Sequence, residues 1–278
     1  MKEIIITGAS GFIGRNVVSI LAKLDYKISV ITRNKILCKN LFKQMPVKIV
    51  ECDINHYHNK ISINNDTSLL HLAWDGLPNY TSLYHIEKNF TGSFNFVKHM
   101  VNSGVSSVVV AGTCMEYGMK QGCLKTTDVC NPVTPYGLAK HSLHKALLFL
   151  QNDIDFNLAW ARLFYITGKG QSPNSIIPQL DAAIDRGDKK FNMSKGEQLR
   201  DYLPLEKVVE HLIFLLVNKL NGTYNISSGT PISIRSLVEN RIIERGSSID
   251  LNLGHYQYLK YEPMAFWGKP NIPDKKKS

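Results

Sequence analysis

Tyr136 stands four residues ahead of Lys140 in the stretch Pro135-Tyr136-Gly137-Leu138-Ala139-Lys140. On a helix that spacing puts a phenol and an ammonium on one face. A free phenol titrates near about 10 and a free ammonium slightly higher. An ammonium placed beside the phenol lowers the phenol's pKa toward the working pH. Such a phenol can give a proton to a carbonyl oxygen, or take one from an alcohol, while a separate carrier moves the hydride. A hydroxyl at a nearby strand end can hold the same oxygen. Thr113, just past the valine-rich run Ser106–Ala111, is placed for that. Tyr-x-x-x-Lys alone occurs by chance in many helices. Its weight here comes from Thr113, from Pro135 and from a glycine turn near the start of the chain.

These three residues need a scaffold, and the first eighty positions describe one. Glu3–Thr7 is a β-branched run, apolar almost throughout, as a buried parallel strand requires. Gly8-Ala9-Ser10-Gly11-Phe12-Ile13-Gly14 follows. Next, Phe12, Ile13, Val17, Ile20, Leu21 and Leu24 recur at helical spacing. At such a strand-to-helix turn the backbone can approach a pyrophosphate at Gly11, and the open helix N-terminus faces the phosphates. A second strand, Lys27–Thr32, ends at Arg33. An acidic residue near that end would accept from a ribose 2′-hydroxyl and select NAD. Arg33 instead suits a 2′-phosphate and predicts NADP(H), with NAD(H) as the alternative and a plain surface arginine as the bland reading. A third strand, Val47–Glu51, leads to Cys52-Asp53-Ile54. A fourth, Ser68–Ala73, leads to Trp74 and the loop Asp75-Gly76-Leu77-Pro78-Asn79-Tyr80. Ligands bind at the carboxyl ends of such strands. Trp74 is therefore either a substrate contact or a structural corner. Residues 86–101 read as a helix through Ile86, Phe90, Phe94, Val97 and Val101, and 136–151 as another.

Composition limits the rest. The chain has 278 residues, enough for one large α/β domain or a domain with a small lobe. Hydrophobic residues make up 44% and charged residues 20%, a globular balance. No apolar run reaches the roughly 18 residues of a membrane span. The first residues lack a signal-peptide layout, which predicts a cytoplasmic protein. The net charge of +10 suits an anionic partner. Five cysteines without a Cys-x-x-Cys pair predict reduced thiols rather than disulfides or zinc. His141 and His144 lie near each other on a helix, and His56 and His58 in a loop. No carboxylate or cysteine is suitably spaced beside them, so no metal is expected. Cys114 is expected to be buried beside Thr113 as a small hydrophobe, with a substrate contact as its sharper role. Residues 274–278 read as a solvated tail.

Taken together, the turn Gly8–Gly14, the trio Thr113, Tyr136 and Lys140, and Leu199-Arg200-Asp201-Tyr202-Leu203-Pro204 resemble the extended short-chain dehydrogenase/reductase family. The likeness is to its nucleotide-sugar epimerase/dehydratase/reductase branch and covers nearly the whole chain. The segments His71–Trp74, Gly112–Gly118 and Tyr261–Gly268 are most similar to bacterial reductases of dTDP-linked 4-keto-6-deoxyhexoses. The resemblance implies an α/β fold: a doubly wound parallel sheet of the Rossmann type, built from 1–164 with returns near 203–226. A smaller substrate lobe, about 165–202 and 227–278, closes over the sugar nucleotide. It also implies a cofactor held by Gly8, Ser10, Gly11, Phe12, Ile13, Gly14, Arg33, Asp53, Ile54, Leu72, Ala73 and Lys140. Trp74, Cys114, Met115, Asn174 and Arg200 are expected to meet the substrate, with Arg200 on its diphosphate. Arg162-Leu163-Phe164-Tyr165 departs from the family's pattern, because Tyr165 replaces an expected Asn. The helices 86–101 and 136–151 imply a homodimer through a four-helix bundle.

The implied reaction is NADPH-dependent reduction of the C4 keto group, giving a fucose- or 6-deoxytalose-type sugar for bacterial surface polysaccharide such as O-antigen. Dehydratases of the family follow the catalytic threonine with Asp and Glu. Here those positions hold Cys114 and Met115, which lack a carboxylate's chemistry. A 4-epimerase that retains NAD would use the same trio and stays open. A dinucleotide-binding scaffold that acts on RNA is the reading from another class. The basic residues are scattered, however, without the aromatic interleaving of an RNA module.

Overall fold

A computed structural model of the chain describes residues 2–57, 63 and 66–273. His58 and the tail 274–278 lie outside the described residues. The first half alternates strand and helix: β1 (Glu3–Thr7), α1 (Phe12–Leu21), β2 (Lys27–Thr32), α2 (Lys35–Leu41), β3 (Val47–Glu51), β4 (Thr67–His71), α3 (Thr91–Asn102) and β5 (Ser107–Thr113). After a short strand β6 (Gly122–Leu124) come α4 (Pro135–Asp153), β7 (Asn157–Leu163), β8 (Tyr165–Thr167), α5 (Ile176–Asp185), β9 (Lys190–Asn192) and β10 (Leu199–Pro204). The chain continues with α6 (Leu205–Val217), β11 (Gly222–Ile226), β12 (Pro231–Ser233), α7 (Ile234–Glu244), β13 (Asp250–Asn252) and β14 (Phe266–Gly268).

Seven parallel strands form the central sheet in the order β11-β7-β5-β4-β1-β2-β3. The order reverses between β1 and β4, the switch point at which open α/β sheets bind ligands. All of these strands except the edge strand β11 feed two cores. Ile4, Ile6, Leu70, Val109, Ala159 and Ala161 face α1 and α6. Ile5, Leu69, Val108, Val110, Leu158 and Trp160 face α3 and α4. Burial on both sides explains why these strands read as continuous apolar runs. The expected doubly wound α/β fold is the observed one.

The smaller elements gather beyond the carboxyl edge. β8, β10 and β12 make a three-stranded sheet, and β9 pairs with β13. Leu180, Phe191, Met193, Val238 and Ile249 form a separate core between α5 and α7. β6 pairs with β14, which ties the segment after Thr113 to the end of the chain.

Four local expectations shift. β4 ends at His71, two residues early, because β1 stops at Thr7 and the ladder has no further partner. β5 runs on to Thr113, because β7 pairs with it to Leu163. Ile20 and Leu24 are 41% and 48% exposed, so the inner face of α1 is Gly14, Val17, Val18 and Leu21. The helix expected at 86–101 opens as a π-helical turn, His85–Phe90. That turn rotates the phase. His85, Asn89, Ser93 and Phe96 face inward, while Ile86, Phe90 and Phe94 are half-buried.

Gly8 takes φ +69°, and a Cβ there would lie 2.7 Å from the Ala73 nitrogen. A Cβ on Gly14 would lie 2.3 Å from the Gly8 carbonyl oxygen, a backbone atom that no rotamer change can clear. Gly14→Ala should therefore lower stability by about 1–3 kcal/mol, the usual range for overpacking. Thermal denaturation against wild type measures it; an unchanged Tm would show that α1 and β1 are not in such close contact.

Candidate active site

β5 delivers Thr113 to the carboxyl edge of the sheet, and the backbone then turns sharply. The Thr113 hydroxyl accepts from the Met115 N–H at 3.2 Å, and the Glu116 side chain accepts from the Thr113 N–H at 2.9 Å. This reciprocal pair is a capping box on the turn Cys114–Tyr117. Thr134 caps α4 through the Gly137 N–H, and Pro135 occupies its first turn. Tyr136 and Lys140, both buried, then face β5 from one side of α4. The Tyr136 phenol comes near enough to the Thr113 side chain to feel it electrostatically. The expected trio meets at one place.

Their surroundings fix their ionisation. Burial pushes the Tyr136 phenol well up, against the opposing pull of the Thr113 side chain. Burial brings the Lys140 ammonium down to about 7, with Glu116 acting in the other direction. Lys140 Nζ donates to the Ala111 carbonyl at 2.7 Å and lies 3.8 Å from the centroid of the Trp74 ring. The sequence-based account, in which the ammonium lowers the phenol, is thus not the arrangement seen. Burial dominates both groups.

Trp74 packs directly beside these residues. Its ring lies 6.0 Å from Tyr136, edge to face, and its indole N–H donates to His85 Nδ1 at 3.2 Å. Asn89 donates to the same His85 nitrogen, and the other ring nitrogen meets the Asn79 carbonyl at 2.7 Å. That pattern fixes the Nε2–H tautomer of His85. Tyr80 stacks obliquely on Tyr136 at 5.4 Å, and its carbonyl accepts from the Tyr136 N–H. Sequence reasoning missed His85 and Asn89, and named Tyr80 only as part of the loop after β4. Polar residues on the inner side of an apolar-looking helix were the available signal.

At the switch point lies a cleft of about 310 Å³. Gly8, Ser10, Gly11, Arg33, Asp53, Ile54, Leu72 and Ala73 line it, with Trp74, Asp75 and Asn89. Phe12, Ile13 and Gly14 form the first turn of α1 behind it, and Gly11 at the N-cap receives no side-chain cap. The first N–H groups of the helix are therefore free of a capping side chain and suited to a pyrophosphate. Thr7 Oγ1, paired with His71 Nδ1 at 2.9 Å, accepts from the Ala73 N–H and sets that wall. Burial holds His71 down to about 3, so it serves as a neutral partner at working pH. The tight glycine cradle, the uncapped helix and the shape of the cleft fit a dinucleotide.

Two arginines have partners that spacing does not reveal. Arg33 forms a bidentate pair with Asp75, at 2.6 and 2.9 Å. Arg200 is fully buried and donates to Tyr165 Oη, to the carbonyls of Leu199 and Met264, and to Glu262 at 2.9 Å. It also stacks over Phe266 at 4.7 Å. Cys114, Met115, Tyr165, Glu262 and Phe266 line a small second cavity. Burial drives the Cys114 thiol up to about 12. Asn174 lies apart on the exposed loop before α5, where its carbonyl accepts from Gln179.

The metal expectation needs one correction. Glu116, Cys130 and His141, scattered in sequence, bring their ligand atoms within 4.8 Å of one another. Glu116 is already committed, however. One oxygen accepts from the Thr113 N–H and Trp160 Nε1, and the other from Arg162 Nε at 3.0 Å. The guanidinium stands where a cation would have to.

The model of the NAD dependent epimerase/dehydratase family matches residues 4–227. The chain belongs to that family. It is an enzyme of that family, whose members modify nucleotide sugars with a nicotinamide cofactor. It is 31% identical to dTDP-6-deoxy-L-talose 4-dehydrogenase (NAD(+)) of Aggregatibacter actinomycetemcomitans, over 96% of this chain and 99% of that protein. It is 23% identical to GDP-6-deoxy-D-talose 4-dehydrogenase of the same organism, over 85% of this chain and 78% of that one. A solved UDP-N-acetylglucosamine 4-epimerase from Methanobrevibacter ruminantium M1, in complex with UDP-N-acetylmuramic acid, superimposes with a TM-score of 0.86. It covers 99% of this chain and 94% of that chain at 22% identity, a likeness of fold. Among the described residues no helix is long and apolar enough to cross a membrane.

The pKa of Lys140 makes a prediction about the enzyme's stability. Below pH 7 the amine is protonated both folded and unfolded, and the cost of burying charge is present in full. Between about 7 and the unfolded value near 10.4, the unfolded chain binds the extra proton, so stability rises with pH. The difference in Tm between wild type and Lys140→Met should accordingly move in favour of wild type from pH 7 to 9. A flat difference would mean that Lys140 keeps its ordinary pKa.

Proposed function

We propose that this enzyme interconverts the 4-keto and 4-hydroxy forms of a nucleotide-linked 6-deoxyhexose, with dTDP as the carrier and net reduction as its working direction. One observation carries the reading: the Thr113 side chain and the Tyr136 phenol come together at the end of β5, and Cys114 and Met115 stand beside them. Elimination needs a carboxylate there. A thiol raised to about 12 and a thioether supply none. The chain-long similarity to a 6-deoxytalose 4-dehydrogenase supports the same bond change, named in the oxidative direction.

A bound nicotinamide dinucleotide supplies or accepts the hydride at C4. Tyr136 gives its phenolic proton to the sugar O4 during reduction and recovers it during oxidation. Thr113 orients that oxygen, and the ammonium of Lys140 is the group suited to the nicotinamide ribose. Trp74 walls both side chains from water. Segments 165–202 and 227–278 act as the substrate lobe. We assign Arg200, each of whose three nitrogens already has a protein partner, to fixing the Tyr261–Phe266 segment over the sugar rather than to gripping the diphosphate.

The homodimer remains part of this reading. Leu138 and Phe149 are 44% and 71% exposed on one side of α4. Half-buried Ile86, Phe90 and Phe94 offer apolar surface on the neighbouring helix. Phe149→Glu should turn the dimer into monomer in sedimentation velocity; a wild-type monomer would end the proposal.

Tyr136→Phe keeps the ring and removes the proton, so turnover should fall about 10²–10⁴-fold with dinucleotide binding little changed. The assay supplies reduced nicotinamide and dTDP-4-keto-6-deoxyglucose, with and without a 3,5-epimerase, and reads products by NMR. One reduced nicotinamide should be consumed per keto sugar. Tightly held NAD⁺ and interconversion of two 4-hydroxy sugars with no net consumption would identify an epimerase instead.

A further inference from the structure

Arg33 alone at the end of β2 predicts a 2′-phosphate partner. Its observed surroundings change that prediction. Asp75 arrives from the loop after β4 and takes both terminal nitrogens of the guanidinium, at 2.6 and 2.9 Å. The pair is partly exposed, at 58% for Arg33 and 42% for Asp75, and an isolated surface ion pair of that kind is weak. Asp75 is not loosely placed, however. Buried Asn89 donates to its carbonyl at 2.8 Å and is itself bonded to His85. The backbone at Asp75 is thereby fixed to the π-helical turn His85–Phe90, to which the Trp74 indole is also bonded.

Asp75 and Arg33 both line the dinucleotide cleft, together with Asp53. The side chains that carry formal charge on its wall are thus one guanidinium and two carboxylates. A 2′-phosphate would bring almost two further negative charges. It would have to displace Asp75 from Arg33 and then remain close to the displaced carboxylate. A 2′-hydroxyl meets no such conflict. It can donate to Asp75 and accept from Arg33 while the ion pair stays whole.

We propose that Asp75 selects the cofactor: by occupying Arg33, it makes the end of β2 a hydroxyl-binding fork that prefers NAD(H) to NADP(H). The acid that usually sits at the end of the second strand is supplied here from the fourth. This inference rests on reading the cleft as the dinucleotide site, and it concerns selection only, not the sugar reaction.

Direct calorimetric titration of the full chain with NADH and with NADPH, in the absence of sugar, tests it. Wild type should bind NADH at least about tenfold more tightly, the scale of one charge-assisted hydrogen bond. Asp75→Asn preserves the shape and releases the guanidinium. It should tighten NADPH about tenfold and leave NADH within a few-fold. Asp75→Ser should move the ratio the same way, and melting curves confirm that both variants are folded. Tighter NADPH binding by wild type, or equal changes for both cofactors in Asp75→Asn, would overturn the inference while leaving the dinucleotide site intact. Binding of neither cofactor by folded wild type would overturn the dinucleotide site, and with it this inference.

Discussion

A carboxylate that never meets water holds the carboxyl edge of the sheet together around Thr113. Glu116 is fully buried. It accepts from the Thr113 amide on β5 and from Trp160 and Arg162 on β7, and it faces His141 on α4 at 3.9 Å. Burial alone would raise its pKa. The imidazole of His141, the charge of Arg162 and the Thr113 amide outweigh that and keep it below the usual carboxylate range. Removing one partner of such a buried pair typically costs about 3–5 kcal/mol, because the other charge remains uncompensated. The position of the Thr113 hydroxyl is therefore set by a tertiary network and not by the local turn alone. Arg162 extends the network to Tyr117, whose hydroxyl donates to Asn225 on β11 at 2.7 Å. Three neighbouring strands and α4 are thus fixed relative to one another behind the reactive groups.

The fold was legible because its signals are local. Continuous apolar runs mark strands buried on both faces, and the glycines of the turn Gly8–Gly14 are visible in sequence whatever neighbour they make room for. β1, β2 and β3 therefore end at the residues expected. Expectations drifted where a neighbour sets the boundary. β4 stops with β1, and β5 continues with β7. The helix after Tyr84 drifted for a different reason. Its apolar period favours Ile86, Phe90 and Phe94, yet the inward side carries His85 and Asn89, which the indole of Trp74 and the Asp75 carbonyl satisfy. Polar groups face inward there because they have partners, and periodicity does not count partners.

The site divides along the same line. Thr113, Tyr136 and Lys140 could be read from spacing and company, because a strand end and one helix turn place them. The charges around them could not. Asp75 lies 42 residues from Arg33, and Glu262 lies 62 from Arg200. Each acid adds a partner that the simplest reading of its arginine leaves out. A guanidinium seen alone in sequence is a free phosphate fork; beside a fixed carboxylate it is a positioned dipole. Charge balance within a cleft belongs to the tertiary structure, and +10 for the whole chain says nothing about it.

The resting ionisation of Tyr136 and Lys140 suits one direction of the proposed reaction. A dry pocket disfavours charge on either member, raising the Tyr136 phenol and bringing the Lys140 ammonium to about 7. The phenol at rest thus holds its proton. Reduction of a ketone needs that proton at the developing alkoxide, so the site starts in the competent state. Oxidation needs a phenolate to receive the alcohol proton, and a buried phenolate requires a nearby positive charge. Lys140 at about 7 is only partly charged and is turned toward the Ala111 carbonyl and the Trp74 ring. Oxidation is served less well by this arrangement, because the positive charge a phenolate needs lies against the Ala111 carbonyl and the Trp74 ring. The same burial that assembles Thr113, Tyr136 and Lys140 accordingly gives the unliganded pocket the character of an acid.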